Sequence, residues 1–576
     1  MTYVPVGIDE DNNLPPAARQ ALAQSDELSN TFVELDGLTL DARRFGVAAD
    51  GVADDTAALR ACSAAASSAA VAASRPVTIL LPAGPMRVTG AIGTLASNGR
   101  YEIPSRVRWI GRGRGVTEFR PEGSGYSLFT RKGGASAPLL GVEFAHFDIR
   151  GDGYTQPGAY NPEFGKGIFG QYFLGAWFHD LGIFNTLATG LGVDFLAGGS
   201  IIERVWAEGC GRGYTGNFEG NIGASGIGIG TRGSWTARED LVVRDCIAIN
   251  NKNNGLFDED QFMPNKAPAF GTRYVNCLAI GNRIGFASKE SNSRFIACEA
   301  YGNSQWGAAV GDAARFEGGS YSRNGDPADA VSYGDGIVVR RHEGDLYGEP
   351  TFSGSVLVEG NARSGLRYEF RSATAKMSPL SGIVARRNGQ SGVLFVASPT
   401  SLAMPRVYLG SIVTEDNGQF LVSNRRAGVT FTGTASIAEI HALGGTYRDT
   451  GGGTQERAIH VVGSSVAVGG GEVQGNVISG HTLQAIRFEN TASEANVLVR
   501  GNDGLRSEAR GVATIPDGNM TVTVAHGLFK TPTDIVATPR GTATPLAVDT
   551  VNANTFRVTR SPLTAGALDV NWRAAV

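Results

Sequence analysis

The chain has 576 residues, and its hydrophobic content of 42% with 18% charged residues excludes a disordered chain. A formal net charge of −4 gives no electrostatic reason to expect nucleic acid or an anionic membrane as a partner. The 80 glycines are about twice the average frequency, without the triplet period of collagen, and indicate frequent turns. Since one compact core stops growing at about 250–300 residues, this length and composition favour a solenoid, whose core lengthens with each coil.

The N-terminal segment, residues 1–36, is polar and contains the pair Pro15–Pro16. It lacks the apolar residues that a core requires, so we expect an attachment arm or linker. The first residues show neither a basic region nor an apolar stretch, and no run of 18 apolar residues occurs in the chain. The sequence therefore predicts no signal peptide, no membrane span and no membrane partner.

Residues 41–90 predict a helix from about Asp54 to Ala73, followed by the strand VTILLPAG. The phrase FGVAADGVADDTAA with the later LPAG resembles the opening of the pectate-lyase-like right-handed parallel β-helix proteins found in bacteriophage tailspikes and minor tail proteins. This resemblance implies a β-helix with a capping helix. Asp54 and Asp55 are interpreted as turn-forming and helix-capping residues without a catalytic role.

From Gly226 onward, a unit of strand, asparagine, three or so residues, glycine and strand recurs at intervals of 22–30 residues. That interval suits one coil of a β-helix. Alternation after each glycine predicts that positions one and three point inward and positions two and four outward. Five asparagines are expected to stack from coil to coil as a hydrogen-bonded ladder: Asn251, Asn282, Asn303, Asn361 and Asn388. Three cysteines are expected to stack inside the coils as buried free thiols: Cys246, Cys277 and Cys298.

The largest concentration of acidic residues in the repeat is GLFDEDQ, which contains Asp258, Glu259 and Asp260. Glu290 and Asp312 follow on neighbouring coils, and adjacent coils lie about 4.8 Å apart. Glycoside hydrolysis uses two carboxylates, so we predict Glu259 with one of the other four as the catalytic pair. Asp258 occupies an inward position, where burial raises the pKa of a general acid. The alternative interpretation is a solvated turn.

Basic and aromatic residues near the acidic segment are candidate substrate-binding residues. Lys289 and Arg340, on the outward row with Glu259, are predicted either to hold an acidic sugar or to pair with Glu259 and Glu369. Trp306, Trp235 and Arg232 lie close to the acidic segment, as subsites for sugar rings or as ordinary packing. Residues 154–173 have no period and are expected to form an insertion bordering the groove. No histidine or cysteine cluster has metal-ligand spacing, so no metal site is predicted.

Residues 511–576 contain short alternating strands separated by proline and glycine, which predicts a small antiparallel β-sandwich. It is similar to the C-terminal modules of phage tail fibres and tailspikes. The predicted organisation is thus an all-β chain with an arm at 1–36, a right-handed parallel β-helix with a capping helix at 37–510, and a C-terminal module at 511–576. By resemblance, this module forms a homotrimer or binds glycan, and the arm attaches to a phage tail or baseplate.

The resemblance implies a virion tail protein that acts outside the cell as a depolymerase of a bacterial polysaccharide, most simply by glycoside hydrolysis without a cofactor. A polysaccharide lyase acting on a uronic-acid polymer is the nearest alternative, with Lys289 or an arginine as base and Ca²⁺ as a possible cofactor. A glycan-binding tail protein without catalysis is the alternative from another class. No nucleic-acid partner is expected.

Overall fold

The computed structural model describes residues 38–156, 158–216, 223–231, 237–260, 271–289, 292–311, 313–329, 333–341, 349–371, 377–420, 425–505, 508–526, 528, 531–552, 555–563 and 565–575. These residues form two compact units that divide between Thr272 and Arg273. The predicted arm at 1–36 lies outside the described residues, and the predicted domain boundaries stay predictions. Among the described helices, none is long and apolar enough to cross a membrane.

The first unit is a stack of coils whose strands pair in parallel, which confirms the predicted parallel β-helix. One sheet of this unit contains Thr39–Asp41, Val77–Leu80, Gly84–Val88, Val107–Ile110, Thr117–Pro121, Glu143–Arg150, Trp177–Phe184, Ile201–Glu208, Val242–Arg244 and Ile247–Ile249. A second sheet, here called the groove sheet, contains Phe129–Arg131, Leu139–Leu140, Ile168–Leu174, Leu191–Ala197, Ile227–Thr231 and Asn254–Asp260. A short antiparallel pair joins Thr94–Leu95 to Tyr101–Glu102.

The predicted capping helix is present at Thr56–Ala73. Its alanine-rich inner face buries Leu59 and Cys62. Asp54 Oδ1 accepts a hydrogen bond from the Thr56 N–H at 3.0 Å, while Asp55 accepts from the N–H groups of Ala48 and Ala49 in the preceding turn. Both aspartates therefore act in the turn and cap, as the sequence predicted.

Glycine recurs once per coil because the coils approach each other too closely for a side chain at that position. In the first unit, a Cβ atom added to Gly167, Gly190 or Gly226 would lie 2.8 Å from the carbonyl oxygen of the corresponding glycine in the next coil. In the second unit, the equivalent column from Gly285 to Gly392 leaves 2.5–2.7 Å. Such separations exclude even an alanine without a shift of the backbone. The regular spacing of these glycines in the sequence therefore results from the close stacking of the coils.

The second unit repeats the same architecture. One sheet contains Arg273–Val275, Leu278–Ile280, Arg294–Ile296, Glu299–Tyr301, Arg315–Glu317, Ser320–Ser322, Thr351–Ser353, Val356–Glu359, Ile383–Arg386, Val413–Glu415, Thr446–Arg448 and Val477–Ser479. A second sheet of this unit contains Ile284–Lys289, Trp306–Val310, Ile337–Arg341, Leu366–Phe370, Val393–Ala397, Ala427–Thr432, Arg457–Val461 and Ile486–Phe488. Later coils add Ala403–Met404, Val407–Leu409, Ser436–Ile437, Ile440–Leu443, Ala467–Val468, Gly471–Gln474 and Val497–Arg500.

Like side chains stack along the interior of the second unit. Tyr274, Phe295, Phe316 and Phe352 lie on successive coils, with neighbouring ring centroids 5.0–5.2 Å apart. All five cysteines are buried free thiols, as predicted. Parallel in-register pairing places equivalent residues above one another, so the apolar interior extends with every coil.

The predicted asparagine ladder is confirmed for Asn282, Asn303, Asn361 and Asn388, whereas Asn251 of the first unit donates to the backbone oxygen of Ala207 at 3.0 Å. In the second unit, each side-chain amide from Asn282 to Asn417 donates to the Oδ1 or Oε1 atom of the residue in the next coil, and the ladder ends at Gln455. The ladder includes Asn324 and Asn417, which the sequence analysis did not name. These amides are buried, and the ladder satisfies polar atoms where the backbone bends.

The C-terminal module consists of two antiparallel sheets, in agreement with the predicted β-sandwich. One sheet contains Glu508–Ile515, Asp534–Pro539 and Leu568–Ala575, and the other contains Thr521–Ala525, Leu546–Asp549 and Thr555–Arg560. Ile515, Phe556, Val558 and Val570 form the core of the module. The alternating strand pattern arises because one face of each sheet packs on this core.

We expect Asn361→Ala to destabilise the second unit by about 1–3 kcal/mol, because buried partners lose their hydrogen bonds. Asn361 donates to Asn388 Oδ1 and Tyr321 O and accepts from Asn324 Nδ2, all at 2.9 Å. The measurement is chemical denaturation, with Asn571→Ala on the exposed face of a strand as the control. Equal stability of the two variants would show that the ladder contributes nothing.

Candidate functional site

A groove of about 310 Å³ lies on the groove sheet of the first unit. Its floor comprises outward-facing residues of four neighbouring strands, and parallel register places them in two rows. The first row is Phe169, Gly192, Gly228 and Phe257, and the second row is Gln171, Asp194, Gly230 and Glu259. The groove is therefore open at its glycines and bounded by an aromatic ring at each end of the first row.

Glu259 faces this groove, as its predicted outward position requires. It pairs in register with Gly230, which in turn pairs with Asp194. Two strand steps separate the Cα atoms of Asp194 and Glu259 by about 10 Å. Because Gly230 has no side chain, this row places no side chain between the two carboxyl-bearing residues.

Asp194 is half-buried in the floor of the groove. Its Oδ2 atom accepts a hydrogen bond from Gln171 Nε2 at 3.0 Å, and the Gly230 N–H also donates to its carboxylate. Burial raises the pKa of Asp194, although these hydrogen bonds and the charge of Lys166 oppose the shift. A raised pKa keeps a proton on the carboxyl group at a higher pH than is usual for aspartate.

Two lysines border the groove. Lys166 Nζ lies 3.9 Å from the centre of the Phe169 ring, and burial lowers the pKa of Lys166. Lys132 bonds to the exposed carboxylate of Glu163, which lowers the pKa of Glu163. This rim is built by the residues before Ile168, so the predicted insertion at 154–173 is correct for its first part, whereas Ile168–Leu174 is a regular strand of the groove sheet.

Of the other four predicted catalytic residues, only Asp258 has a described side chain, and it does not line the groove. Asp258 is completely buried and pairs in register with Ile229 on the inward row, so its carboxyl group faces the coil interior. Asp260 is the last residue of its strand, and its side chain is outside the described structure. Glu290 and Asp312 lie outside the described residues. Their predicted roles, and that of Glu259, stay predictions.

None of the predicted substrate-binding residues with a described side chain lines the groove of the first unit. Arg340 and Trp306 belong to the second unit, where the Arg340 guanidinium lies 4.7 Å from the centre of the Trp306 ring. Arg340 Nε is 3.9 Å from Glu369 Oε2, so one of the two predicted ion pairs is present. Lys289 ends the strand Ile284–Lys289, and its side chain is outside the described structure. Arg232 and Trp235 lie outside the described residues.

Sequence analysis missed Asp194, although a signal for it exists. Glu259 is four residues after Gly255, and the glycine alignment began at Gly226. Extending the alignment backwards to Gly190 and Gly167 places Asp194 and Gln171 at the same position four. The earlier coils do not match the repeat pattern, because their strands are longer and they lack the asparagine that precedes the glycine in the later repeats.

A separate polar group lies on the other sheet of the first unit. Ligand atoms of His146, His179 and Asp180 lie within 4.8 Å of one another. Arg204 Nε and Nη2 bind Asp180 at 2.7 and 2.9 Å and lower the pKa of Asp180, and His179 bonds to both Asp180 and Glu143. The Arg204 ion pair occupies the carboxylate oxygens that a metal ion would use, which makes this group an ion-pair network.

No family model and no curated protein matches the chain. Solved structures do match. A single-substitution mutant of the tailspike protein of E. coli bacteriophage HK620, in complex with a pentasaccharide, has a TM-score of 0.52 at 12% identity, covering 94% of this chain and 94% of that chain. A double mutant of the same tailspike, also with the pentasaccharide, has a TM-score of 0.51 at 11% identity, covering 98% and 96%.

The chain has a tailspike-like right-handed parallel β-helix fold. At these identities the likeness concerns the fold, and it agrees with the parallel coils and the antiparallel C-terminal sheets described above. The tailspike-like β-helix keeps the side chains of successive coils in rows. A groove across these rows is suited to an extended polymer, because equivalent positions repeat at each strand step of about 4.8 Å.

We expect Asp194→Asn to stabilise the protein at neutral pH. The raised pKa of Asp194 means that folding disfavours its charge, so wild-type stability falls as the pH rises from the unfolded pKa through the folded pKa. The gain in melting temperature should thus be larger at pH 8 than at about pH 3, where the Asp194 carboxyl group is mostly protonated in both the folded and the unfolded state. Asp50→Asn is the control of opposite sign, since turn N–H groups lower the pKa of Asp50. A gain that is the same at both pH values would contradict the assignment.

Proposed function

We propose that this tailspike-like protein binds a bacterial surface polysaccharide along the groove of its first unit and cleaves it within the chain by glycoside hydrolysis. The observation that carries the proposal is the row Gln171, Asp194, Gly230 and Glu259, which presents two carboxyl-bearing residues on either side of a glycine. Glycosidases use two such groups, one as acid and one as base or nucleophile.

Asp194 is proposed as the general acid. Its raised pKa keeps the proton that protonates the leaving glycosidic oxygen, and Gln171 holds the carboxyl group in place. Glu259 is proposed as the base that activates water. A separation of two strand steps favours the inverting reaction, in which the carboxyl groups stand about 6.5–9.5 Å apart, over the retaining reaction at about 5 Å. In this proposal Asp194 takes the place of the partners that the sequence predicted for Glu259. The roles predicted for Asp258, Asp260, Glu290 and Asp312 stay predictions.

The rest of the groove supports a carbohydrate ligand. Phe169 and Phe257 are three strand steps apart, about 14 Å, and each offers an aromatic surface to the apolar face of a sugar ring. Two similar tailspike structures are complexes with a pentasaccharide, which supports an oligosaccharide-sized site here. In the same proposal, residues 1–36 attach the protein to a phage tail and the C-terminal module forms a homotrimer.

One observation favours a lyase as the second candidate. Lys166 borders the groove, and burial lowers its pKa, which favours a role as the base that removes the proton beside the carboxylate of a uronic acid. Elimination leaves an unsaturated sugar that absorbs ultraviolet light, whereas hydrolysis does not. The absorbance of the products therefore separates the two reactions, and chelation of Ca²⁺ tests the metal requirement of a lyase.

We expect Glu259→Gln and Asp194→Asn each to reduce cleavage at least about a hundredfold while binding persists, because each variant removes one proton-transfer group and little volume. The measurement is the chain length of capsular and lipopolysaccharide glycans after incubation, with binding followed by calorimetry. Glu299→Gln, an exposed glutamate of the second unit, is the matched control. Wild-type cleavage by both groove variants would remove this pair from the reaction. A wild-type protein that binds but shortens no glycan would be an adhesin.

We expect Gly228→Leu to abolish glycan binding without unfolding the protein. A Cβ atom at Gly228 has one neighbour, Thr189 Cγ2 at 3.4 Å, so the backbone tolerates a side chain there while the isobutyl group fills the groove. Gly134→Leu is the control, because a Cβ atom at Gly134 meets nothing within 4 Å and Gly134 does not line the groove. Unchanged binding by a folded Gly228→Leu protein would place the glycan elsewhere.

A further inference from the structure

Guanidinium groups gather on the outward face of the second unit. Arg340 and Arg367 belong to the neighbouring strands Ile337–Arg341 and Leu366–Phe370, where Arg340 pairs in register with Glu369 and Arg367 with Val338. Further arginines come from the segments that enter and leave these coils. The arginine cluster is defined as Arg340, Arg363, Arg367, Arg371 and Arg425, which interact electrostatically with one another and with Glu369 and Asp335.

Three arginines of the cluster converge on one carboxylate. Glu369 receives Arg371 Nη2 at 2.8 Å, Arg367 Nη2 at 3.4 Å and Arg340 Nε at 3.9 Å. Asp335 Oδ2 lies 3.9 Å from Arg363 Nη1, and Arg425 Nη1 donates to the uncharged side chain of Gln390 at 3.3 Å. Arg340, Arg367 and Arg371 thus share the carboxylate of Glu369 among the described residues, an excess of two positive charges.

Part of this charge is held out of water, while the Arg340 and Arg371 side chains are each 34% exposed. The Arg363 side chain is 8% exposed, and burial lowers the pKa of Arg340, Arg363 and Arg425, with neighbouring arginines adding to the effect. Holding like charges together in a partly buried position costs stability unless an anion compensates them. The arginine cluster is therefore better adapted to a negatively charged ligand than to the unliganded state.

Unsatisfied donors and an aromatic wall stand beside the charges. In the described structure, the buried Nε atoms of Arg340 and Arg367 and the buried Nε1 atom of Trp306 have no hydrogen-bond acceptor. The Arg340 guanidinium lies over the Trp306 ring, and Tyr333 packs against the indole with ring centroids 5.5 Å apart. A ligand that carries acceptor oxygens can complete the hydrogen bonds of these donors.

We propose that the arginine cluster binds the carboxylate of an acidic sugar, so that the polysaccharide recognised by this protein contains uronic acid or another carboxylate-bearing residue. Guanidinium forks match the two oxygens of a carboxylate, and the aromatic residues beside them suit the sugar ring. The inference rests on the proposed glycan-binding function and adds the chemical class of the substrate, with a second binding site outside the groove of the first unit.

The test is calorimetric binding of oligogalacturonate, and of the same oligomer after reduction of its carboxyl groups, to the full chain. We expect the acidic oligomer to bind at least about tenfold more tightly, with an affinity that falls as salt increases. Arg367→Gln and Arg371→Gln should each lose about tenfold in affinity for the acidic oligomer. Arg387→Gln, an exposed arginine paired with Glu359, is the matched control and should bind as the wild type does. Thermal unfolding of each variant checks that it is folded.

Equal binding of the two oligomers, or wild-type affinity in both cluster variants, would overturn the anionic site. Competition by inorganic phosphate that is stronger than competition by galacturonate monomer would overturn the carboxylate assignment. These outcomes are separate from the proposed function. If the arginine variants bind normally while Glu259→Gln abolishes cleavage, only the anionic site fails. If the wild type binds oligogalacturonate through the arginine cluster but shortens no glycan, only the hydrolase fails.

Discussion

The parallel, in-register stacking of coils is the constraint on which the rest of this structure depends. Backbone hydrogen bonds fix neighbouring strands at a spacing of about 4.8 Å, and the glycine columns allow that close approach at the turn into each strand. The same register forces equivalent side chains above one another. The aromatic stack from Tyr274 to Phe352 and the asparagine ladder are consequences inside the coils, and the rows at the groove are the consequence outside.

The proposed chemistry arises from the same register. Asp194 and Glu259 are 65 residues apart in sequence, yet stacking places them two strand steps apart on one row. Gly230 lies between them in register and adds no side chain to that space. The raised pKa of Asp194 comes from its half-buried position in the groove floor, which costs stability and supplies an acid. In the second unit, the same kind of register brings Arg340 and Arg367 to the carboxylate of Glu369.

Much of the fold is readable from the sequence because it depends on short-range patterns. The interval between glycines predicted the coil, alternation predicted that Glu259 faces outward and Asp258 inward, and the recurring asparagines predicted a ladder. The residues of the candidate site were harder to predict from the sequence. The alignment started at Gly226, so Asp194 was outside it, and the burial of Asp258 makes that residue a poorer partner for a ligand than its sequence neighbour Glu259.

The sequence by itself determined the class of architecture. The repeat interval, the glycine usage and the alternation of apolar residues are local patterns, and they can be read without knowing which strands pair. Only the tertiary structure decided which coils face each other, how far the carboxyl groups stand apart and how deeply each is buried. Lys166, Phe169 and Asp194 meet at one groove because strand pairing joins distant segments. The register between coils depends on the conformation of every intervening loop. The sequence gives the number of residues in each loop, but that number does not say which residues of two strands lie side by side.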